Sequence, residues 1–333
     1  MKIVVFGDIH LKIKEPNDFY ERRFFNLVQV IKKENPDILI LNGDILDKAN
    51  PSWYELKKFY EWLGRIRKFV KNKIVLISGN HEDLAKNECL YDYLPQTDFE
   101  YVGKGFLRIT NDITLWFVSH HKIFEIYKLK NEFFTDINIL FSHYRSAVNA
   151  YMTDEIDNVY VSKTFDYTIL SDIHQHYKPA VNIEYTSSPY SIVFDDREDF
   201  GYIVLNVENK NYEVKWKQLN LPNLVKFTIR GEKDIDKLKL ILEQNKKDVF
   251  KVVSAIKTDK LIEFIENNRD KIVRYSFINI NEIENEKKEV ISEIKNNDKQ
   301  IVITDIVKKH LIVEDEELKK EIINELELIE KDL

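Results

Sequence analysis

The chain has 333 residues, 44% of them hydrophobic and 32% charged, with a net charge of −7; this suits a soluble globular protein of about two domains at roughly 150 residues each. A single cysteine, Cys89, excludes an internal disulfide and fits a reducing, cytoplasmic compartment, and no apolar run is long enough for a signal peptide or a membrane span. The acidity gives no global attraction to nucleic acid or anionic lipid, and it is uneven, with ten Asp and Glu against five Lys from Ile301 onward.

Lys2 to Phe6 is a short apolar run that predicts a buried strand, and it leads into Gly7, Asp8 and His10. Phe24, Leu27, Val28 and Ile31 then repeat at helical spacing, and Ile38 to Asn42 is a second strand that runs into Gly43 and Asp44. Leu56, Phe59, Leu63, Ile66 and Phe69 predict a second helix with Pro51 near its start. Lys73 to Ile77 is the third strand and ends in Gly79, Asn80 and His81. This repeated strand-helix unit is the signature of a parallel sheet with helices on its faces.

From Phe99 the pattern changes to short runs, Phe99 to Val102, Phe106 to Ile109 and Ile113 to Val118, which read as β structure with tight turns. Ile137 to Phe141 runs into His143, and Tyr167 to Leu170 runs into His174 and His176. Val181 to Tyr185, Ser191 to Phe194, Gly201 to Val207 and Tyr212 to Gln218 follow, and they predict a second, mainly antiparallel sheet. The expected fold class is α/β, a two-sheet β-sandwich with flanking helices.

Leu221-Pro222-Asn223 marks a boundary. Alternating strands and helices from Val225 to Ile280 predict a small α/β capping domain, so the expected division is 1–220, 221–281 and 282–333. Glu282 to Gln300 reads as a solvated linker or helix. Leu318, Ile322, Leu326 and Ile329 share one face of an amphipathic helix, which packs on its own domain or docks on another protein.

Five strand ends therefore present Asp8, His10, Asp44, Asn80, His143, His174 and His176. Carboxylate and amide oxygens mixed with imidazoles suit Mn2+, Fe2+ or Zn2+ rather than Ca2+. Seven side chains exceed what one catalytic ion can use while keeping a position open for water, whereas two ions sharing a carboxylate use them all. Such a pair makes hydroxide available near neutral pH and neutralises charge on a phosphate; His81 is then free to orient the phosphate or protonate the leaving oxygen. His120 and His121 read as a solvated cleft rim, Tyr144 and Arg145 as phosphodiester contacts or strand-end caps, and Cys89 as buried or inert.

GDIH at Gly7 to His10, GDILD at Gly43 to Asp47, GNHE at Gly79 to Glu82, the lone His143 and HQH at His174 to His176 resemble the motif set of calcineurin-like metallophosphoesterases. Within that superfamily the chain most resembles SbcD-type recombination and repair nuclease subunits, especially their bacteriophage counterparts. The resemblance implies the metallophosphoesterase fold and two divalent cations, Mn2+ in vitro. One cation would take Asp8, His10, Asp44 and His176, and the other Asp44, Asn80, His143 and His174. It also implies a DNA exonuclease or endonuclease, an SMC-like ATPase partner bound through the C-terminal helices, and a possible homodimer, with no membrane. A phosphatase or small-molecule phosphodiesterase of the same fold and a catalytically inactive scaffold are the alternatives. Two positions depart from the family pattern: Ile173 stands where a Gly usually precedes the last His-x-His, and Glu82 where the nucleases more often have Asp; GNHE also occurs in protein phosphatases, but those follow their second motif with Asp-Arg-Gly, where this chain has Asp47-Lys48-Ala49.

Overall fold

The structure, a computed structural model, describes residues 1–11, 19–85, 88–129, 134–145, 155–194, 196, 199–245 and 247–277. Strands β1 (Lys2–Phe6), β2 (Ile38–Asn42), β3 (Lys73–Ile77) and β6 (Glu100–Tyr101) run parallel in the first sheet. Strands β12 (Gly201–Glu208) and β13 (Asn211–Gln218) complete it antiparallel, in the order β13-β12-β1-β2-β3-β6. The second sheet has the order β11-β10-β9-β8-β7, built from β7 (Lys104–Arg108), β8 (Ile113–Val118), β9 (Ile137–His143), β10 (Tyr167–Ser171) and β11 (Ile183–Tyr185). Strands β4 (Asp83–Ala85) and β5 (Glu88–Cys89) form a two-stranded ribbon.

The alternation of side chains along each strand explains the layers. Ile3, Val5, Ile40, Val75 and Ile77 of the first sheet pack against Leu115, Phe117, Ile139, Phe141 and Ile169 of the second. Val4, Phe6, Leu39 and Leu41 point the other way, onto helices α1 (Phe19–Glu34) and α2 (Trp53–Arg67). Because both faces are covered, β2 is buried at every residue, which is why Ile38 to Leu41 is an unbroken apolar run before Asn42. The expected start of α2 is built by Ser52, whose hydroxyl accepts from the Glu55 N–H at 3.3 Å while the Glu55 carboxylate accepts from the Ser52 N–H at 2.6 Å. On the outer face of the second sheet lie Ile123 and Ile126 of the 3-10 segment His120–Lys128, and Val161 of helix α3 (Asn158–Thr164).

The two-sheet α/β sandwich is as expected, but its strands are dealt differently. Strands β12 and β13 join the first sheet beside β1, and β8 to β11 are parallel neighbours, with only β7 antiparallel. Ser191 to Phe194 forms no strand: the Asp196 carboxylate accepts from the Ile192 and Val193 N–H groups and curls the segment into a turn.

The chain divides into two compact units, one of residues 1–227, 240–251 and 267–274, the other of 228–239, 252–266 and 275–333. The elements after residue 223 are β14 (Leu224–Ile229), α4 (Glu232–Gln244), β15 (Val249–Ser254), α5 (Asp259–Asn267) and β16 (Ile272–Phe277), with the sheet order β14-β15-β16. The expected linker Glu282 to Gln300 and the amphipathic stretch Leu318 to Ile329 lie outside the described residues. Among the described residues no helix is long and apolar enough to cross a membrane.

Candidate metal centre

The loops after β1 and β2 are laced together by backbone bonds: Asp8 N–H to Gly43 O at 3.1 Å, His10 N–H to Asp44 O at 2.9 Å and Leu11 N–H to Ile45 O at 2.9 Å. Asp8, His10 and Asp44 adopt left-handed backbone angles, with φ of 51°, 45° and 50°. Three such non-glycine residues in neighbouring loops cost of order 1–3 kcal/mol each and are typical of functional sites. Between them Gly43 has φ 85°, and a Cβ there would collide with the His143 ring, so the glycine serves both the turn and the close approach of the imidazole.

Three of the histidines are oriented by hydrogen bonds from outside the centre. His10 Nδ1 stands 3.2 Å from Asp47 Oδ1, His81 Nδ1 is 2.8 Å from the Asp47 carbonyl, and His143 Nδ1 is 3.1 Å from the Asn42 carbonyl. With Nδ1–H donating in His10 and His143, their Nε2 atoms face the centre. There His10 Nε2 is 3.5 Å from Asp44 Oδ2, and His143 Nε2 is 3.4 Å from the same oxygen and 3.2 Å from Asn80 Oδ1. The His174 ring lies 5.0 Å from that of His10 and the His81 ring 4.6 Å from it. His81 stands at the mouth, its side chain 40% exposed and its Nε2 4.0 Å from Asp44 Oδ2.

His176 is not brought to this centre. Strand β10 extends through Ser171, so the first residue beyond the strand end is Asp172, and His176 comes to lie against Glu184 of β11. There His176 Nε2 bonds to Glu184 Oε1 at 2.7 Å and the ring stacks on Trp216 at 4.4 Å. His176 as a metal ligand is therefore corrected. The residue that sequence reasoning missed is Asp172, whose Oδ1 is 3.7 Å from His143 Nε2 and whose N–H donates to both Asp8 carboxylate oxygens at 3.1 and 3.3 Å. No local sequence signal marked it, because the strand runs one residue beyond its apolar run.

Two further positions were missed as supports. The buried Glu82 carboxylate accepts from the N–H groups of Asp44, Ile45, Leu46 and Gly79 at 3.1, 2.6, 2.8 and 2.7 Å, fastening the loop of Asp44 to the turn of Asn80. Asn42 donates to Ser142 O and Ser171 Oγ at 3.0 Å each, tying the β2 end to those of β9 and β10. Of the neighbours, His121 is buried and bonds Ser78 at 3.1 Å, whereas His120 bonds Asp83 at 2.6 Å with its ring 6.3 Å from that of His143. Tyr144 is buried, and Arg145 Nε pairs with Asp172 Oδ2 at 3.2 Å.

The electrostatics follow from crowding titratable groups in a dry place. Burial pushes the Asp8 carboxyl up to about 6 and the Glu82 carboxyl up to about 7, and it lowers His10 to about 4. Burial also opposes ionisation of Asp44 and His143, but their attraction outweighs it, holding the Asp44 carboxyl low and His143 well above the usual imidazole range. His120 reaches about 9 because Asp83 and Glu155 overcome its burial.

The donors fit divalent cations. His10 Nε2 is buried with no hydrogen-bond partner, an arrangement that a cation would satisfy. Asp8, His10 and His174 form one group with donor atoms within 4.8 Å of one another, Asp8, Asp44 and His143 form a second, and His10, Asp44 and His81 a third. Cys89, Asp92 and His121 also lie close together, but the Cys89 thiol donates to the Tyr101 hydroxyl at 2.9 Å and Asp92 accepts from the Cys89 N–H at 2.9 Å.

Residues 1–205 match the calcineurin-like phosphoesterases. The chain belongs to that family. It is accordingly a metallophosphoesterase fold with hydrolytic chemistry, and the family's pattern of two metals agrees with the donor groups around Asp44. A curated relative, "Probable exonuclease subunit 1" of Escherichia phage T5, is 24% identical over 260 residues, which span 71% of this chain and 75% of the relative. Similar solved structures include an archaeal phosphodiesterase, 13% identical with a TM-score of 0.35, covering 65% of this chain and 100% of that one. A dimetal phosphatase from Danio rerio is 8% identical with a TM-score of 0.40, covering 65% and 95% respectively.

Proposed function

We propose that this metallophosphoesterase is a two-metal DNA phosphodiesterase, an exonuclease or endonuclease, and the nuclease subunit of an SbcCD-like complex with an SMC-like ATPase. The observation that carries the hydrolytic part is the meeting of donor groups from separate strand ends on one carboxylate, Asp44. The DNA substrate and the ATPase partner are supported by the motif order and by the phage relative named as an exonuclease subunit.

The ligand sets are Asp8, His10, Asp44 and His174 at one position, and Asp44, Asn80 and His143 at the other. Cations bound there, Mn2+ in this reading, would neutralise phosphate charge and lower the pKa of an attacking water. The protein's part is positional. Asp47 holds His10 by its side chain and His81 by its carbonyl, so the second motif sets the direction of both rings. With Nδ1–H committed to Asp47, His81 presents Nε2 at the open mouth, where it holds a proton for the leaving oxygen or binds the phosphate.

The test is Mn2+-dependent degradation of end-labelled linear duplex, beside a nitrophenyl phosphodiester and a monoester, with and without an SMC-like ATPase. His81→Ala is expected to lower DNA cleavage by about 10²- to 10⁴-fold, with bound metal unchanged. Monoester turnover with intact DNA would assign a phosphatase, and no turnover under any condition would assign a scaffold.

A further inference from the structure

We propose that Asp172 supplies the fourth protein donor at the second cation position, making that position oxygen-rich and shifting its preference away from Zn2+ towards Mn2+ or Mg2+ relative to a histidine there. The inference rests on the two-cation reading above and refines it.

Strand register sets the position. Ser171 of β10 lies beside His143 of β9 in the parallel pairing, so Asp172 emerges at the level of a ligand histidine. The family's paired histidines are spaced His-x-His; Asp172-Ile173-His174 keeps that interval two residues earlier than HQH, with the small, buried Ser171 before it in place of glycine.

The local geometry is that of a ligand. Ligands about 2.1 Å from one cation stand about 3.0–3.4 Å apart, and His143 Nε2 has Asn80 Oδ1, Asp44 Oδ2 and Asp172 Oδ1 around it at 3.2, 3.4 and 3.7 Å. Arg145 Nε holds the other oxygen, Oδ2, at 3.2 Å, which aims Oδ1 inward and balances one added negative charge. The side chain is only 8% exposed, and φ at Asp172 is 109°, a conformation costly for any residue with a Cβ. Its N–H meanwhile binds both oxygens of Asp8, so the same residue links the two halves of the centre.

The consequence is an asymmetric pair. The first position has two imidazoles, His10 and His174, with two carboxylates. The second has one imidazole with three oxygen ligands, Asp44, Asn80 and Asp172, a set suited to harder cations.

The experiment uses the full chain stripped of metal by chelation, then equilibrated with MnCl2 and read by elemental analysis and by the spin-coupled Mn2+ EPR signal. Wild type and His176→Ala are expected to bind two Mn2+ with a coupled signal. Asp172→Ala, which removes the donor, should retain one, lose the coupled signal and bind the second at least about tenfold to a hundredfold more weakly, with its metal-free melting curve as the folding control. Asp172→His should move Zn2+ competition at the second position at least tenfold towards Zn2+. Two tight ions in Asp172→Ala, or loss of one in His176→Ala, would overturn the assignment of Asp172 while leaving two-metal binding intact. Fewer than two ions in the wild type would instead sink the two-cation reading itself.

Discussion

Glu82 differs from the proposed ligands in bonding only to the backbone of the loops that carry Asp44 and Asn80 and to Tyr91. Its carboxylate accepts four backbone N–H bonds and the Tyr91 hydroxyl at 2.9 Å. An amide in its place would set an NH2 group against N–H donors. Glu82→Gln is therefore expected to destabilise the protein by about 3 kcal/mol, measured by urea unfolding in EDTA so that lost metal does not contribute; an unchanged midpoint would show that the two loops hold without it. At this scale Asp8, His10, Asp44, Asn80 and His143 were legible as a cluster because each directly follows an apolar run. Asp172 and His176 were not, because one residue of extra strand decides which side chain leaves the sheet edge first. Glu82 was legible only as a departure from a pattern, since its partners are backbone groups that carry no sequence signature.

Among elements, α1 shows how a helix end is fastened to the sheet. Glu34 at its last turn receives Lys2 of β1 at 3.1 Å, the Tyr202 hydroxyl of β12 at 2.7 Å and Lys217 of β13 at 2.8 Å. Burial would raise this carboxyl, but the three donors outweigh it and hold it at about 2, below the ordinary 4.5. A folded value below the unfolded one means stability that is present above 4.5 and is lost as pH falls towards 2. Glu34→Gln should cost about 1 kcal/mol at pH 7, after screening of the partly exposed lysines. The gap should close in denaturant titrations between pH 4.5 and 2; a gap independent of pH would mean that packing, not charge, is what the glutamate contributes. The helices and the parallel strands were readable from spacing alone. The membership of β12 and β13 was not, because strand β1 pairs with a segment some 200 residues later and nothing local records that choice.

For the whole molecule the proposed metal centre would also be a stability element, because its candidate donors come together only in the folded chain. Mn2+ that binds the native state alone should stabilise it by about 2.7 kcal/mol per site at a hundredfold excess over Kd. The first melting transition should accordingly rise with Mn2+ concentration and fall back on adding EDTA; a Tm indifferent to both would mean that the centre binds no Mn2+ in the folded protein. What the sequence by itself determined was the family, the sandwich and most of the residues that cluster around Asp44, since buried strands and residues just beyond their ends are local properties of the chain. Only the tertiary structure decided which sheet takes the late strands, that His176 packs on Trp216 and that Asp172 faces His143. Those outcomes depend on register between distant segments, and a shift of one or two residues there exchanges the side chain that meets the centre for one that meets a sheet face.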